Sequence, residues 1–567
     1  MYILGICDSQ DAGAVLLDTS ANEITAVNEE RISRIKLSGG FPTGAIKEVF
    51  SLKKIKPQDI GLVALASHMT PSFILRSLST AHRKLKQKNK QFSLLLSLYI
   101  FYQVIAKCSI ILEFIDSRLS CFIIKRKLKK LGIKAELRIV EHHHAHAFAA
   151  YITSGMQKAL IFTIDGLGDG VSFSVNIGEK GCLRRIYEGK ALNDITLYYS
   201  RLTEFLGFAP IQDEGKVMGL AAYSDNYCVL NEARKLLRAN NGRFKSRNIF
   251  YAFSKDRIIF QRLKAKPRED VAASFQIHAE NTICDIVRYW VKKTGIADIA
   301  LSGGFFANIK VNQRIAQMRE VRGVYVYPHM GDGGLALGAV YALWKTRPFE
   351  FNDLFFGTSY SDEQVQAVLN KYGLKYERIE NIEQKIAFLL SEGKIVARFS
   401  GAMEYGPRAL GNRSILAQAT DSAIQESLNK KLGRDVFMPF APSMLMEHRN
   451  DCCQGADKAA YSAQFMNISF SCTEYFKNRC PAVVHKDGST RPQLVSLRNN
   501  PGFYKILSFY NKYTGIPALI NTSFNMHEEP IVRSPEEAVH AFERGKLDYL
   551  AINNFLIKGG WYEKRKG

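Results

Sequence analysis

Short apolar runs alternate along this chain with Gly-bearing turns and with longer stretches of helical periodicity. The runs YILGI from Tyr2, AVLLD from Ala14, GLVALAS from Gly61, ALIFTIDGLGDG from Ala159, DIALSGGFF from Asp298 and GVYVYPHMGDGG from Gly323 each read as a buried strand entering a tight turn. Tyr2 to Asp18 reads as two short strands around a turn that carries Asp8 and Asp11, and further Asp-Gly turns follow strands at Asp165 and Asp332. Helical stretches between the strands make the fold class α/β. Near Trp344 to Phe356 the pattern changes, with a fresh helix start at Ser361 and Glu363 in its first turn. The boundary is placed there, giving domains 1–348 and 349–567. No internal repeat is visible.

A length of 567 residues agrees with two domains, and 46% hydrophobic with 23% charged residues excludes a fibrous or broadly disordered chain. The formal charge of +23 favours anionic partners without choosing among nucleotides, phosphates, nucleic acid and membrane surfaces. Much of it sits in AHRKLKQKNK (Ala81 to Lys90) and KRKLKKLGIK (Lys125 to Lys134), which read first as solvated helix faces. The 10 cysteines show no CxxC spacing, and the N-terminus has no signal-peptide pattern, so a reducing cytoplasm is expected. Phe92 to Phe114 is long enough to span a bilayer, but Gln103, Lys107 and Glu113 interrupt it. A buried or interfacial helix is expected there, with peripheral contact to the inner face of the membrane as the alternative.

The candidate chemistry begins at EHHHAH, Glu141 to His146. His142 and His146 are four apart and share a helix face, and Asp165 and Asp332 can complete a site from their turns. Two imidazoles with carboxylates suit Fe2+, Mn2+ or Zn2+ better than Mg2+. His143 and His144 point elsewhere and read as supporting or substrate groups. Three strand-to-Gly turns with nearby carboxylates are typical of actin-like ATPases, and in LSGGFFAN the Gly303 and Gly304 turn allows close approach of a nucleotide that Asn308 can hydrogen-bond. Glu214 and Lys216 in DEGKVMGLAAY can bind a polar substrate or pair with one another. In the second half, Arg408 and Arg413 of YGPRALGNRS, with Arg434 and Arg491, suit a small doubly anionic substrate.

HHHAHA, IDGLGDG, EGKVMGLAAY, LSGGFFAN, GDGGLALGA, YGPRALGNRSI, PFAPSM and INTSFN together resemble the O-carbamoyltransferases of natural-product and nodulation-factor biosynthesis, in that family's order and over nearly the whole chain. The resemblance implies an N-terminal actin-like (Kae1-type) domain and a C-terminal YrdC-like domain. The latter would form carbamoyl adenylate from carbamoyl phosphate and ATP, and the former would transfer the carbamoyl group to a hydroxyl of a sugar or natural product. It also implies metal ligands His142, His146, Asp165 and Asp332. Nucleotide contacts would come from Lys36, Asp165, Gly303, Gly304 and Asn308, and carbamoyl phosphate contacts from Arg408, Arg434, Arg491 and Asn521. Two positions depart from the family: Gln10 stands where His usually precedes the first-turn Asp, and Met438 where Arg usually precedes PFAPS. The base role then falls to Asp11, His143 or His144, with Glu214 as a further catalytic candidate. The alternatives are a threonylcarbamoyl-type tRNA-modifying enzyme, against which the C-terminal motifs argue, and a degenerate nucleotide-binding protein. Nucleic acid is not the expected partner.

Overall fold

The computed structural model describes residues 1–77, 102–103, 105–107, 109–190, 193–246, 263–433 and 439–560. The basic cluster Ala81 to Lys90, most of the apolar segment from Phe92, Arg434 and Met438 lie outside the described residues. The chain forms two compact units, Met1–Glu29 with Leu37–Glu350, and Glu30–Lys36 with Phe351–Gly567. Both are α/β, as the strand and helix pattern requires.

The first unit contains two five-stranded sheets of one topology. In the first, β1 (Tyr2–Cys7), β2 (Gly13–Asp18) and β3 (Glu23–Asn28) pair antiparallel, and β4 (Ile60–Ala66) and β5 (Glu136–Val140) add in parallel beside β1. In the second, β6 (Lys158–Gly168), β7 (Val171–Glu179) and β8 (Cys182–Lys190) pair antiparallel. After a hairpin, β9 (Leu237–Asn240) and β10 (Arg243–Ser246), the strands β11 (Asp298–Ser302) and β12 (Gly323–Val326) add in parallel beside β6. The strand order 3-2-1-4-5 therefore occurs twice. This duplicated arrangement is the expected actin-like architecture, although no repeat is visible in the sequence.

Two helices pack between the sheets. His142–Ile152 lies on β6 and β11, Leu335–Leu343 lies on β1 and β4, and each lies on the other. Small residues set how closely they approach. A Cβ at Gly338 would fall 1.9 Å from the Ala145 carbonyl oxygen, and one at Gly5 would fall 2.3 Å from that of Ala336. Such spacing brings the carboxyl ends of β1, β4, β6 and β11 and the loop after β12 toward one place, where ligands of parallel α/β sheets are usually held.

The second unit is built on an eight-stranded mixed sheet with the order β13-β22-β21-β14-β15-β20-β16-β19. Its strands are β13 (Glu377–Arg378), β14 (Val396–Phe399), β15 (Arg413–Gln418), β16 (Ala441–Leu445), β19 (Gln493–Val495), β20 (Ala518–Ser523), β21 (Tyr549–Ile552) and β22 (Phe555–Lys558). A separate pair, β17 (Phe470–Ser471) and β18 (Ser489–Thr490), precedes β19. Among the described residues, no helix is long and apolar enough to cross a membrane.

The Gly338 contact gives a direct test of this packing. Gly338→Ala forces the two central helices apart and is expected to cost about 1–3 kcal/mol, as overpacking in a closed core does. Thermal unfolding of the variant against the native chain measures it.

Candidate functional site

The helix His142–Ile152 starts where Glu141, its N-cap, accepts the His144 amide. Four residues apart on this helix, the His142 and His146 rings lie with centroids 4.9 Å from one another. Asp165 stands where β6 leaves its regular pairing with β7. Its Oδ2 lies 3.0 Å from His142 Nε2 and 3.2 Å from His146 Nε2. Asp332, in the turn after β12, brings Oδ1 to 3.6 Å from His142 Nε2 and 4.0 Å from His146 Nε2. One ligand atom from each of His142, His146, Asp165 and Asp332 lies within 4.8 Å of the others, the only such group among the described residues.

The remaining ring nitrogens are held from behind. Ser67 Oγ, at the end of β4, lies 2.7 Å from His142 Nδ1, and Ser302 Oγ, at the end of β11, lies 3.1 Å from His146 Nδ1. Each Nδ1–H donating to a hydroxyl leaves both Nε2 lone pairs directed at the carboxylates, the tautomer a metal ligand needs. Asp332 is held likewise, by the Ser9 hydroxyl donating to Oδ2 at 2.7 Å. The donor set, its spacing and these supporting bonds fit a divalent transition metal.

The charges are unbalanced without one. Burial works against charge on His142, but the Asp165 hydrogen bond and the charges of Asp332 and Asp165 outweigh it and raise the ring to about 9. His146 is lowered by burial and, despite its Asp165 bond, by the neighbouring His142 charge. Burial and the Asp165 charge push Asp332 up to about 7.

Asp169, the second carboxylate of IDGLGDG, organises the site without belonging to it. It accepts the amides of His142 at 3.0 Å and Met69 at 2.9 Å, and it pairs with His68 Nδ1 at 3.1 Å. His68 also meets Glu113 at 3.0 Å. Sequence reasoning named none of Ser9, Ser67, His68, Asp169 and Ser302 as site residues. The available signal was their position, at a strand end or beside a Gly turn.

Other expected site residues are placed as follows. Asp11 Oδ2 and His329 Nε2 both come within 2.4 Å of where a Cβ at Gly333 would stand, so Asp11 borders the Asp332 turn. His143 is engaged through both ring nitrogens. Its Nε2–H donates to the Val171 carbonyl at 2.9 Å and its Nδ1 accepts from Thr163 at 2.7 Å, leaving no lone pair for proton transfer. Burial, with the His142 charge, lowers it to about 3. His144 is half-buried, faces away from the other rings and packs edge-on against Phe148.

Asn308 caps a helix: its Oδ1 accepts the Val311 amide and its amide nitrogen donates to Gln276, at the start of the helix Ile309–Gln317. Gly303 has φ +103° and packs against the Ile164 carbonyl, a conformation and a closeness that only glycine tolerates. Gly304 N–H donates to Asp165 Oδ1 at 3.1 Å, so this turn holds a metal-ligand candidate in both its oxygens' geometry. Glu214 accepts from Ser200 and the Ile211 amide, with burial raising its carboxyl, and none of its described contacts reaches the cluster. Lys216 pairs with Asp213. Lys36 is exposed and lies in the segment counted with the second unit.

In the second unit, Glu404 accepts the amides of Leu410, Asn412 and Arg413 and so shapes the YGPRALGNRS loop. Arg413, expected in the anion-binding set, is instead structural. It is fully buried, donates to the carbonyls of Ser400, Thr358 and Gly401, and lies 3.6 Å from the Phe399 ring centroid. Arg408 has no such cage, its Nε is buried without a hydrogen-bond partner, and burial lowers it to about 10. Arg491 is lowered further, by burial and then by the Arg408 charge beside it. Asn521 donates to the Ala409 carbonyl at 3.2 Å and to Ser443 and Gln493, which fixes the residue next to Arg408. The result is two neighbouring, half-buried guanidinium groups with no carboxylate among the described residues to pair with them, an arrangement suited to an anion.

Metal binding at the histidine cluster must displace the protons on His142 and Asp332. Affinity for Fe2+ or Mn2+ is therefore expected to rise from pH 6 toward pH 9, by up to about tenfold per pH unit for each proton displaced. Ser67→Ala and Ser302→Ala are each expected to weaken it about 10- to 100-fold. Equilibrium dialysis with metal analysis across this pH range measures both effects.

Family models described as carbamoyltransferase N-terminus and carbamoyltransferase C-terminus match residues 2–341 and 387–559. An uncharacterized protein of Methanocaldococcus jannaschii is 31% identical, over 97% of this chain and 98% of its own. The nodulation protein NolNO of Sinorhizobium fredii is 30% identical over 96% of this chain and 78% of its own, and the nodulation protein NolO of Bradyrhizobium diazoefficiens is 32% identical over 74% and 79%. Full-length HypF, solved in its phosphate- and nucleotide-bound form, aligns at 15% identity and a TM-score of 0.33 over 62% of this chain and 56% of its own. With both family models matched in order along nearly its whole length, the chain belongs to the carbamoyltransferase family and is an enzyme of that class.

Proposed function

We propose that this carbamoyltransferase is ATP-dependent: it converts carbamoyl phosphate and ATP to carbamoyl adenylate and passes the carbamoyl group to a hydroxyl of a sugar or natural-product acceptor. The observation that carries this reading is the half-buried Arg408 and Arg491 pair in the C-terminal unit, which has no counter-charge among the described residues. Two adjacent guanidiniums match the phosphate of carbamoyl phosphate, a small dianion. Asn521 supports them by holding Ala409.

Activation solves a problem of reactivity. The carbamate carbonyl is resonance-stabilised and a poor electrophile, and coupling it to AMP supplies a good leaving group. Carbamoyl phosphate, ATP and one water give carbamoyl adenylate, phosphate and pyrophosphate. In the second step the acceptor oxygen bonds to the carbamoyl carbon, the bond to the AMP oxygen breaks, and the hydroxyl proton leaves to a base.

His142, His146, Asp165 and Asp332 would hold a divalent cation, Fe2+ on this donor set with Mn2+ and Zn2+ as alternatives. When bound, it supplies positive charge that stabilises the departing AMP phosphate. The chain's own residues do the rest. Ser67 and Ser302 fix the imidazole tautomers, Ser9 fixes Asp332, and Gly304 turns Asp165 toward the rings. Asp11, which borders the Asp332 turn, is the assigned proton acceptor in place of the family's histidine at Gln10.

Incubation with carbamoyl phosphate, ATP and Fe2+ is expected to release pyrophosphate. Arg408→Met and Arg491→Met are each expected to lower that rate at least about 100-fold, since each leaves a dianion facing half of its charge partner. Asp11→Asn should leave pyrophosphate release intact and slow the consumption of carbamoyl adenylate. No pyrophosphate from the native chain would overturn the activation step.

A further inference from the structure

We infer that the helix Ile110–Lys130 is a docking element for an anionic lipid bilayer surface. Its N-cap, Ser109, accepts the Leu112 amide, and it runs 21 residues with two opposed faces. The inner face carries Asp116, Ser120, Ile124 and Leu128, all buried at helical spacing. The outer face is not what water selects. Ile111, Phe114, Ile115, Leu119 and Phe122 are 71%, 58%, 43%, 39% and 65% exposed. Large apolar side chains scattered singly over a surface are ordinary, but five on one face over three turns form a continuous patch.

Charge decides the occupant. Lys125, Arg126 and Lys129 are exposed and continue the same face toward the helix end, and Arg118 stacks over Phe114 within the apolar stretch. The helix carries Arg118, Lys125, Arg126, Lys127, Lys129 and Lys130 against Glu113 and Asp116. An apolar stretch that passes into a cationic one matches the acyl boundary and the anionic headgroups of a bilayer, into which such helices bury their apolar face while lying in its plane. A second copy of this chain would bring like charges together.

The inner face ties this helix to the metal-site loops. Asp116 accepts the Phe73 amide at 3.1 Å, and Lys127 Nζ donates to the Arg76 carbonyl at 2.8 Å. Arg76, fully buried on Asp8, donates to the Ser67 carbonyl at 2.9 Å. Glu113 meets His68, His68 meets Asp169, and Asp169 accepts the His142 amide. Docking the outer face therefore presents the cluster at a fixed height above the lipid. An acceptor displayed on that surface follows only if the carbamoyl-transfer reading holds, whereas the docking does not depend on it.

Flotation of the full chain with vesicles of phosphatidylglycerol and phosphatidylcholine tests the docking. The native protein should float with them at 0.05 M salt and be released at 0.5 M, because surface charge attraction is screened there. It should not float with phosphatidylcholine alone. The paired substitution Phe114→Ser with Phe122→Ser, and the triple Lys125→Gln, Arg126→Gln, Lys129→Gln, should each lower partition at least about tenfold. Unchanged pyrophosphate release and metal content would show that these exposed changes leave the fold intact. Three results would overturn the inference: a native chain left at the bottom of the gradient, variants that float as well as the native chain, or a native dimer that Phe114→Ser with Phe122→Ser converts to monomer.

Discussion

The first unit is organised around holding two carboxylates, Asp165 and Asp332, against the same pair of imidazole nitrogens. Two unit charges 4 Å apart interact by about 4 kcal/mol at the effective dielectric of a protein site, so bringing two carboxylates together is unfavourable until something cationic stands between them. In the protein alone that role falls to a proton on His142 and to the reluctance of Asp332 to ionise. Neither satisfies four ligand atoms at once. The proposed divalent cation would, and the surrounding hydrogen bonds suit it: hydroxyls occupy the outward nitrogens of both rings, and Asp169 anchors the first turn of the helix that carries them. The tight contacts at Gly338 and Gly5 are the mechanical side of this constraint, since the ligand candidates come from the second sheet and the helix on it while Ser9 and Ser67, which hold them, follow strands of the first.

Much of that was legible in the sequence. Spacing alone placed His142 and His146 on one helix face, and the Asp-Gly turns marked Asp165 and Asp332, because strand, turn and i, i+4 periodicity are local properties. What was not legible was long-range. Nothing near Ser67 says that its hydroxyl meets a ring 75 residues later. The i, i+4 spacing already turned His143 away from the His142 and His146 face, but only the fold shows that it meets Thr163 and Val171. Asn308 looked like a ligand for nucleotide and is a helix cap, a role that Asn often takes and that depends on where the helix begins. The duplication of sheet topology likewise left no trace in the residues, because a strand order survives any substitution that keeps the apolar pattern.

The second unit poses the opposite electrostatic problem. Arg408 and Arg413 share one loop of Gly, Pro and Arg, where residue type and spacing alone do not separate them, although the family resemblance takes only Arg408 as a carbamoyl phosphate contact. Arg413 is satisfied by carbonyls and by the face of Phe399, so its charge is already used to close the loop. Arg408, five positions earlier, has no such set of carbonyls, and its charge lowers Arg491 further. Two half-buried like charges with no carboxylate partner among the described residues are unfavourable, and such arrangements persist where a ligand supplies the missing charge.

The two clusters are electrostatically complementary, the histidine and carboxylate group suited to a cation and the arginine pair to an anion. Complementarity of this kind fixes the reacting group and says little about the acceptor, since none of the hydrogen bonds that build the cluster is left to read an acceptor's shape. Acceptor choice must then rest on surfaces outside the cluster. His68 is where the two concerns meet: one ring nitrogen faces Asp169, which holds the His142 helix, and the other faces Glu113 on a helix whose outer side is apolar and basic. With both carboxylates in place, burial is outweighed and the ring is raised to about 9, so it stays charged near neutral pH and keeps both contacts. Through that one cation the orientation of the metal-site helix and the orientation of the exposed helix are set together.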